Sequence, residues 1–402
     1  MKKILFTLFF CITMKAEFKL GIENIPHQLV TAYSKQGLRI GLVTNQTGID
    51  KNGNRTLDIL LKHGFNIKYI FAPEHGYQGS VLAEKEIFDT QDKKTNIPII
   101  SLYTKNTGKK ISNELINSID VLFFDIQDSG MRHYTYISTL FSVLKVASNN
   151  NKKVVVFDRP NLLGKIMEGP LVESSLISFI SIAPIPLRHG LTVGELAEYF
   201  NKHLLENKVA LTIIPMKDYN REQLLNDLHA PLSPNISCIA SCYGYSFLGL
   251  LGEVKPFDVG VGTPYAFQLI TLPESLSVPS KMWETIALKL KSHGIPTQAY
   301  RYFNERKKEF YKGLRITISN INQVNAFQAF LETVQAVTKQ GIAIDFNVNF
   351  DKAVGSRLVR SFLIGTISYK DLVEEINNSL QVFFQQAKNI FKYLPHPELV
   401  FY

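Results

Sequence analysis

The chain has 402 residues, 45% hydrophobic and 20% charged, a balance that excludes a disordered polypeptide and a multi-span membrane protein and leaves room for two domains. Against 35 Asp and Glu stand 44 Lys and Arg, giving a net charge of +9. These basic residues are scattered in ones and twos without an aromatic-interleaved RNA motif or a recognition helix, so they make no case for nucleic acid; they suit a soluble basic surface or an anionic polymer as ligand.

Residues 1–16 stand apart. Lys2 and Lys3 precede an apolar run, Ile4 to Met14, that is too short to span a bilayer and has the length of a signal-peptide core. This predicts export to the periplasm or medium, cleavage after Ala16, and no membrane span in the mature chain. Cys11 falls inside that segment. The mature chain then keeps Cys238 and Cys242, whose spacing fits one bridge or two buried thiols, and which are too few for a zinc cluster.

From Leu38 to Pro160 apolar strand-like runs alternate with amphipathic stretches. Strands are predicted at Arg39 to Thr44, Ile67 to Ala72, Ile97 to Leu102, Val121 to Asp125 and Val154 to Asp158, with helices at Arg55 to His63, Asn113 to Ser118 and Thr139 to Asn149. Strands that are apolar throughout and separated by helices imply a parallel sheet covered on both faces, hence a doubly wound, Rossmann-like α/β domain. Thr192 followed three residues later by Glu195 forms a capping box and starts another helix. A strand at Leu211 to Pro215 and a loop-rich passage to about Leu272 complete this unit, taken as residues 17–278. Beyond it, a helix containing Trp283, a strand at Leu314 to Ile318, a helix from Asn325 to Lys339, a strand at Ala343 to Phe350 and helical sequence to Tyr393 read as a smaller α+β domain, residues 279–402.

The residues just past each strand carry the chemistry. Asn45 and Gln46 come after the first, Pro73-Glu74-His75-Gly76 after the second, and Asp125, Asp128 and Arg132 at and after the fourth. Asp158 and Arg159 end the fifth, and His189 lies in the loop feeding the helix at Thr192. Polar groups after several parallel strands meet at one edge, the ligand crevice of open α/β sheets. No glycine-rich phosphate loop follows the first strand, and Gly260-Val261-Gly262 lacks a third glycine, so no nucleotide cofactor is implied. No Gly-x-Ser-x-Gly elbow occurs, which disfavours serine hydrolysis. Three readings fit the crevice: glycoside hydrolysis with a carboxyl as proton donor, metal-assisted hydrolysis, or binding without chemistry. Glu74, just past a strand end and partly withdrawn from water, is the candidate proton donor.

Several strings together resemble one family. Gly41-Leu42-Val43-Thr44-Asn45-Gln46-Thr47-Gly48, Ala72-Pro73-Glu74-His75-Gly76, the run from Phe124 to Tyr136, Asp158-Arg159-Pro160-Asn161, Glu168-Gly169-Pro170 and His189 to Glu195 are similar to the exo-β-N-acetylmuramidases of bacterial cell walls, in the expected order over nearly the whole mature chain. The resemblance implies a Rossmann-like domain with an auxiliary C-terminal domain, and a glycosidase that needs no cofactor and frees N-acetylmuramic acid from non-reducing ends of peptidoglycan fragments. It places the catalytic glutamate at Glu74, with His75 and Asp128 as candidates to assist. Substrate contacts are expected from Asn45, Gln46, Asp125, Arg132, Tyr134, Asp158, Arg159, Glu168 and His189, with Arg132 or Arg159 meeting the lactyl carboxylate. Two departures stand out: Val261 where the family has arginine, and Leu162 where it has proline.

Overall fold

A computed structural model describes residues 18–82, 85–104, 107–108, 111–225 and 227–402. The predicted signal segment and Cys11 lie outside the described residues. Seven strands form the central sheet: β1 Arg39–Thr44, β2 Asn66–Ala72, β3 Thr90–Gln91, β4 Pro98–Ser101, β5 Val121–Asp125, β6 Lys153–Phe157 and β7 Leu211–Ile214. Their order is β7-β6-β5-β1-β2-β4-β3, all parallel except β3 against β4. The chain winds outward from β1 in one direction and, after β4, in the other. The sheet is therefore doubly wound, as predicted, with its switch point beside β1.

Alternation along the strands explains the two layers. Leu42, Ile70, Phe123 and Val155 face one apolar cluster with Leu57, Leu60 and Phe65, while Val43, Phe71, Phe124 and Val156 face the other. Both faces are covered, which is why these strands read as unbroken apolar runs. The second layer is built by α1 Tyr136–Asn149, α2 Val193–Tyr199 and α3 Ile239–Leu251. Thr192 caps α2 as predicted, accepting from the Glu195 amide while the Glu195 carboxylate accepts from Thr192 N. α1 begins a turn before the predicted start.

Helix α3 was not predicted. Its two glycines, Gly244 and Gly249, argue for turns in sequence, yet both sit mid-helix because neighbours come too close for a β-carbon. At Gly244 the intruder is the Phe267 carbonyl; at Gly249 it is His133 Nε2, 2.6 Å from where a Cβ would lie. Helix α3 packs against the helix Ala326–Thr338, and its apolar residues share one cluster with the C-terminal helices.

The C-terminal part pairs β8 Leu269–Pro273, β9 Thr297–Asn304 and β10 Glu309–Ile316 in an antiparallel sheet, order β8-β10-β9. Against it lies α4 Ser280–Ser292, which in turn packs on α5 Ala326–Thr338. β8 and β9 were also missed. The strand expected at Ala343 to Phe350 is reduced to Asp345–Phe346, and Phe350–Val354 is helical. The long C-terminal helix, Tyr369–Ala387, buries Leu372, Ile376, Leu380, Phe383 and Ala387 at helical spacing. Cys238 and Cys242 are free thiols, at the N-cap of α3 and one turn inside it.

Candidate active site

A cavity of about 660 Å³ opens where the C-terminal edge of the sheet meets α3 and the β9–β10 hairpin. Glu74 and His75 reach it from the loop after β2, and His133, Tyr134 and Thr135 from the loop before α1. Tyr245 and Gly249 come from α3, Glu253 and Val261 from the segment after it, and Asn304, Arg306 and Lys307 from the hairpin.

Glu74 is 8% exposed, and its Oε2 accepts a 2.6 Å hydrogen bond from Thr135 Oγ1. One carboxylate oxygen is thus anchored. His75 takes a left-handed backbone conformation, φ 69°, and its Nδ1 lies 2.7 Å from the Val81 carbonyl. A carbonyl only accepts, so Nδ1 carries a hydrogen. The unusual φ turns the chain sharply just after Glu74.

Sequence reasoning passed over His133, Thr135, Tyr245, Glu253 and Arg306. His133 is buried on the cavity wall, tilted by 38° against Tyr245 with centroids 4.8 Å apart, and neither ring nitrogen has a partner among the described residues. Burial, then the charge of Arg132, lower its pKa to about 3, so it presents a neutral donor and acceptor. Burial, and after it the carboxylates of Glu253 and Glu74, hold the Tyr245 phenol well above its ordinary value. Tyr245 thereby lies within electrostatic reach of both. No local signal marks Tyr245, Glu253 or Arg306, since α3 and the hairpin reach the sheet only by tertiary packing, whereas His133 and Thr135 lie in the run from Phe124 to Tyr136 after the fourth predicted strand.

The other expected site residues sit elsewhere. Arg132 does not face the cavity: its fully buried guanidinium donates to the carbonyls of Pro170, Ile185, Ala353 and Val354 and to Ser181 Oγ. Arg159 is paired with Asp125, which also accepts from Thr56, and donates to the Ile49 carbonyl. Both guanidinia are occupied by the fold, so the lactyl carboxylate expected there finds no free donor. Asp125 is in turn held as Arg159's counter-ion.

Glu168 pairs with Arg188 at 2.8 Å and accepts from the amides of Ala326 and Phe327, capping α5. Asn45 Oδ1 accepts from Thr47 N and Oγ1, shaping its own turn, and Gln46 Nε2 donates to the carbonyls of Pro231 and Leu232. Tyr134 keeps its ring on the cavity while its hydroxyl donates to the Leu232 carbonyl. Asp128 lies behind the wall: Oδ2 accepts from Gly130 N at 2.7 Å and is 3.7 Å from His189 Nε2, while buried Oδ1 has no partner among the described residues. His189 is fully buried, its Nδ1 accepting from Leu191 N.

Asp158 is likewise internal. It accepts from Arg159 N, Gly194 N, Thr192 Oγ1 and the Tyr393 hydroxyl, tying β6 to α2 and to the C-terminal segment. Burial, which outweighs these donors, pushes its pKa up to about 6. A carboxyl whose folded pKa is raised above its unfolded value, near 3.8, contributes stability that is complete below about pH 4 and lost as pH rises through about 6. Urea midpoints are therefore expected to fall across that interval, and Asp158→Asn to flatten the fall; an unchanged slope in the variant would show that another group sets it.

Among the described residues no group of three or more His, Cys, Asp or Glu side chains is placed to share a metal ion. No described helix is long and apolar enough to cross a membrane.

Residues 40–240 match the N-terminal domain, and residues 243–393 the C-terminal domain, of the family described as exo-β-N-acetylmuramidase NamZ. The chain belongs to the exo-β-N-acetylmuramidase family. Members of this family are glycosidases, so hydrolysis is favoured over the metal-dependent and binding-only readings. The chain is 31% identical over 392 residues to the peptidoglycan β-N-acetylmuramidase NamZ of Bacillus subtilis, an alignment covering 94% of this chain and 92% of that protein. Two crystal structures of DUF1343 family proteins from Bacteroides fragilis are similar, with TM-scores of 0.81 and 0.70 at 30% and 26% identity. Each similarity covers 94% of this chain and 99% of the other. The boundary between the two family domains falls at the start of α3. In this exo-β-N-acetylmuramidase fold the cavity thus joins residues from both family domains.

Proposed function

We propose that the chain releases N-acetylmuramic acid from the non-reducing ends of peptidoglycan fragments, with Glu74 as the group that protonates the leaving oxygen. The observation that carries the assignment is the anchored carboxyl of Glu74 in the cavity at the sheet's switch-point edge. In the first step the Glu74 carboxyl gives its proton to the glycosidic oxygen as the bond from that oxygen to the anomeric carbon breaks. The leaving sugar departs as a neutral alcohol and Glu74 becomes a carboxylate.

Of the cavity's other carboxylates, Asp258 is neutralised by Lys307 at 3.0 Å, whereas Glu253 makes no ion pair among the described residues. Glu253 is the group we assign to take a proton from the water whose oxygen bonds to the anomeric carbon, which gives free N-acetylmuramic acid. Neutral His133 supplies hydrogen bonds to the sugar without adding charge, and the His75 ring adds a further polar group to the wall.

The test is to incubate the protein with a peptide-free muramyl-glucosamine disaccharide and with longer glycan strands, and to identify the products by mass spectrometry. N-Acetylmuramic acid from non-reducing ends is the expected product. Internal cleavage, or glucosamine released first, would overturn the reading. We also propose that the chain acts outside the cytoplasm, supported by Lys2, Lys3 and the apolar run after them. Glu17 as the N-terminus of the protein recovered from the extracytoplasmic fraction is the expected result.

A further inference from the structure

The cavity wall contributed by the β9–β10 hairpin is cationic, and one cation in it has no ion-pair partner among the described residues. Lys307 is spent on Asp258 and Lys308 on Glu305, each at 3.0 Å, whereas Arg306 between them makes no ion pair among the described residues. Its main chain is fixed: Asn304 Oδ1 accepts from the amides of Arg306 and Lys307 at 3.1 Å, and Asn304 Nδ2 donates to Asp258 at 3.1 Å. The side chain folds back over the loop that carries Gly262. The Arg306 guanidinium lies against the α-carbon of Gly262, where a β-carbon would stand 2.7 Å from Cζ and Nη2 and 3.1 Å from Nη1. Gly262 also has φ 87°, so both its conformation and its neighbour call for glycine.

A guanidinium on a cavity wall, without a counter-ion among the described residues, is a carboxylate receptor with a vacant fork. Lys255 and Lys352 line the same cavity, likewise without an ion pair among the described residues, and add to the local positive potential. N-Acetylmuramic acid differs from N-acetylglucosamine by one anionic group, the carboxylate of its 3-O-lactyl ether. We infer that Arg306, seated on Gly262, binds that lactyl carboxylate and makes the cavity select muramic acid over glucosamine. This inference rests on the muramidase reading for its ligand, and its test is separable because it measures binding of the product and needs no turnover.

The experiment is calorimetric titration of the full mature chain with N-acetylmuramic acid, its lactyl methyl ester, N-acetylglucosamine and muramyl dipeptide. Wild type is expected to bind the free acid about 10- to 100-fold more tightly than the ester or N-acetylglucosamine, the range of a charge-assisted hydrogen-bonded contact. Arg306→Gln is expected to abolish that preference and leave affinity for N-acetylglucosamine unchanged. Arg306 is exposed, so this variant should keep the wild-type melting temperature. Arg306→Lys should retain part of the preference, since an ammonium keeps the charge and loses the fork. Gly262→Ala, which leaves the arginine and displaces its seat, should weaken binding of the acid only.

An unaltered preference in Arg306→Gln overturns the inference, as does a wild type that binds acid and ester alike. Arginine-dependent binding of muramyl dipeptide without that of the free acid would assign Arg306 to a stem-peptide carboxylate and overturn the lactyl assignment. A protein that shows the preference and hydrolyses no muramide would leave this inference standing and sink the proposed activity.

Discussion

Glu74→Gln is expected to lower kcat on a muramyl-glucosamine disaccharide by about 10²- to 10⁴-fold, the range of a lost general acid. The amide keeps the shape of the carboxyl and retains an oxygen to accept from Thr135 Oγ1, so the melting temperature and KM should change little. The leaving group supplies a sharper criterion than the size of the loss. A sugar alkoxide is a poor leaving group and depends on protonation, whereas a nitrophenolate departs without it. Loss on a nitrophenyl muramide should therefore be much smaller than on the disaccharide. Equal losses on the two substrates would show that Glu74 acts on the anomeric centre or on binding, and no loss on either would remove it from the mechanism.

The sheet was legible because its strands are buried on both faces and so read as apolar runs, and its helices because caps such as Thr192 with Glu195 are local signals. The position of Glu74 was legible for a related reason: it follows a strand that had to be central. Helix α3 was hidden by Gly244 and Gly249, which serve close approach by Phe267 and His133 rather than turning. The charged motif residues were harder. Arg159 and Asp125 are 34 residues apart, and Arg188 reaches carbonyls 133 and 136 residues away at Ile321 and Val324. Nothing local separates such internal anchors from ligand-binding groups. The opposite holds for Arg306, whose hairpin carries three consecutive basic residues and reads as a solvated surface until Gly262 is seen beneath it.

Arg132→Met is expected to destabilise the protein by about 3–5 kcal/mol, because the long apolar side chain fills the space and leaves buried acceptors unpaired. Arg132 is fully buried, and its pKa, lowered by burial to about 9, still leaves it charged at neutral pH. No carboxylate among the described residues compensates it; the charge is dispersed over the carbonyls of Pro170, Ile185, Ala353 and Val354, with Ser181 Oγ taking the Nε hydrogen at 3.0 Å. Val354 and Ala353 belong to the C-terminal part, so this one side chain joins it to the loop before α1 that carries His133 and Thr135 into the cavity. Gly355, φ 85°, lets the guanidinium pass where a β-carbon would collide with Nη2. Arg132→Lys should also destabilise, since an ammonium cannot reach all of these acceptors spread around a plane. The decisive comparison is between unfolding and binding. A lowered urea midpoint with KM unchanged in the remaining folded protein fits an internal anchor, whereas a raised KM at an unchanged midpoint would return Arg132 to the substrate carboxylate and vacate that role for Arg306.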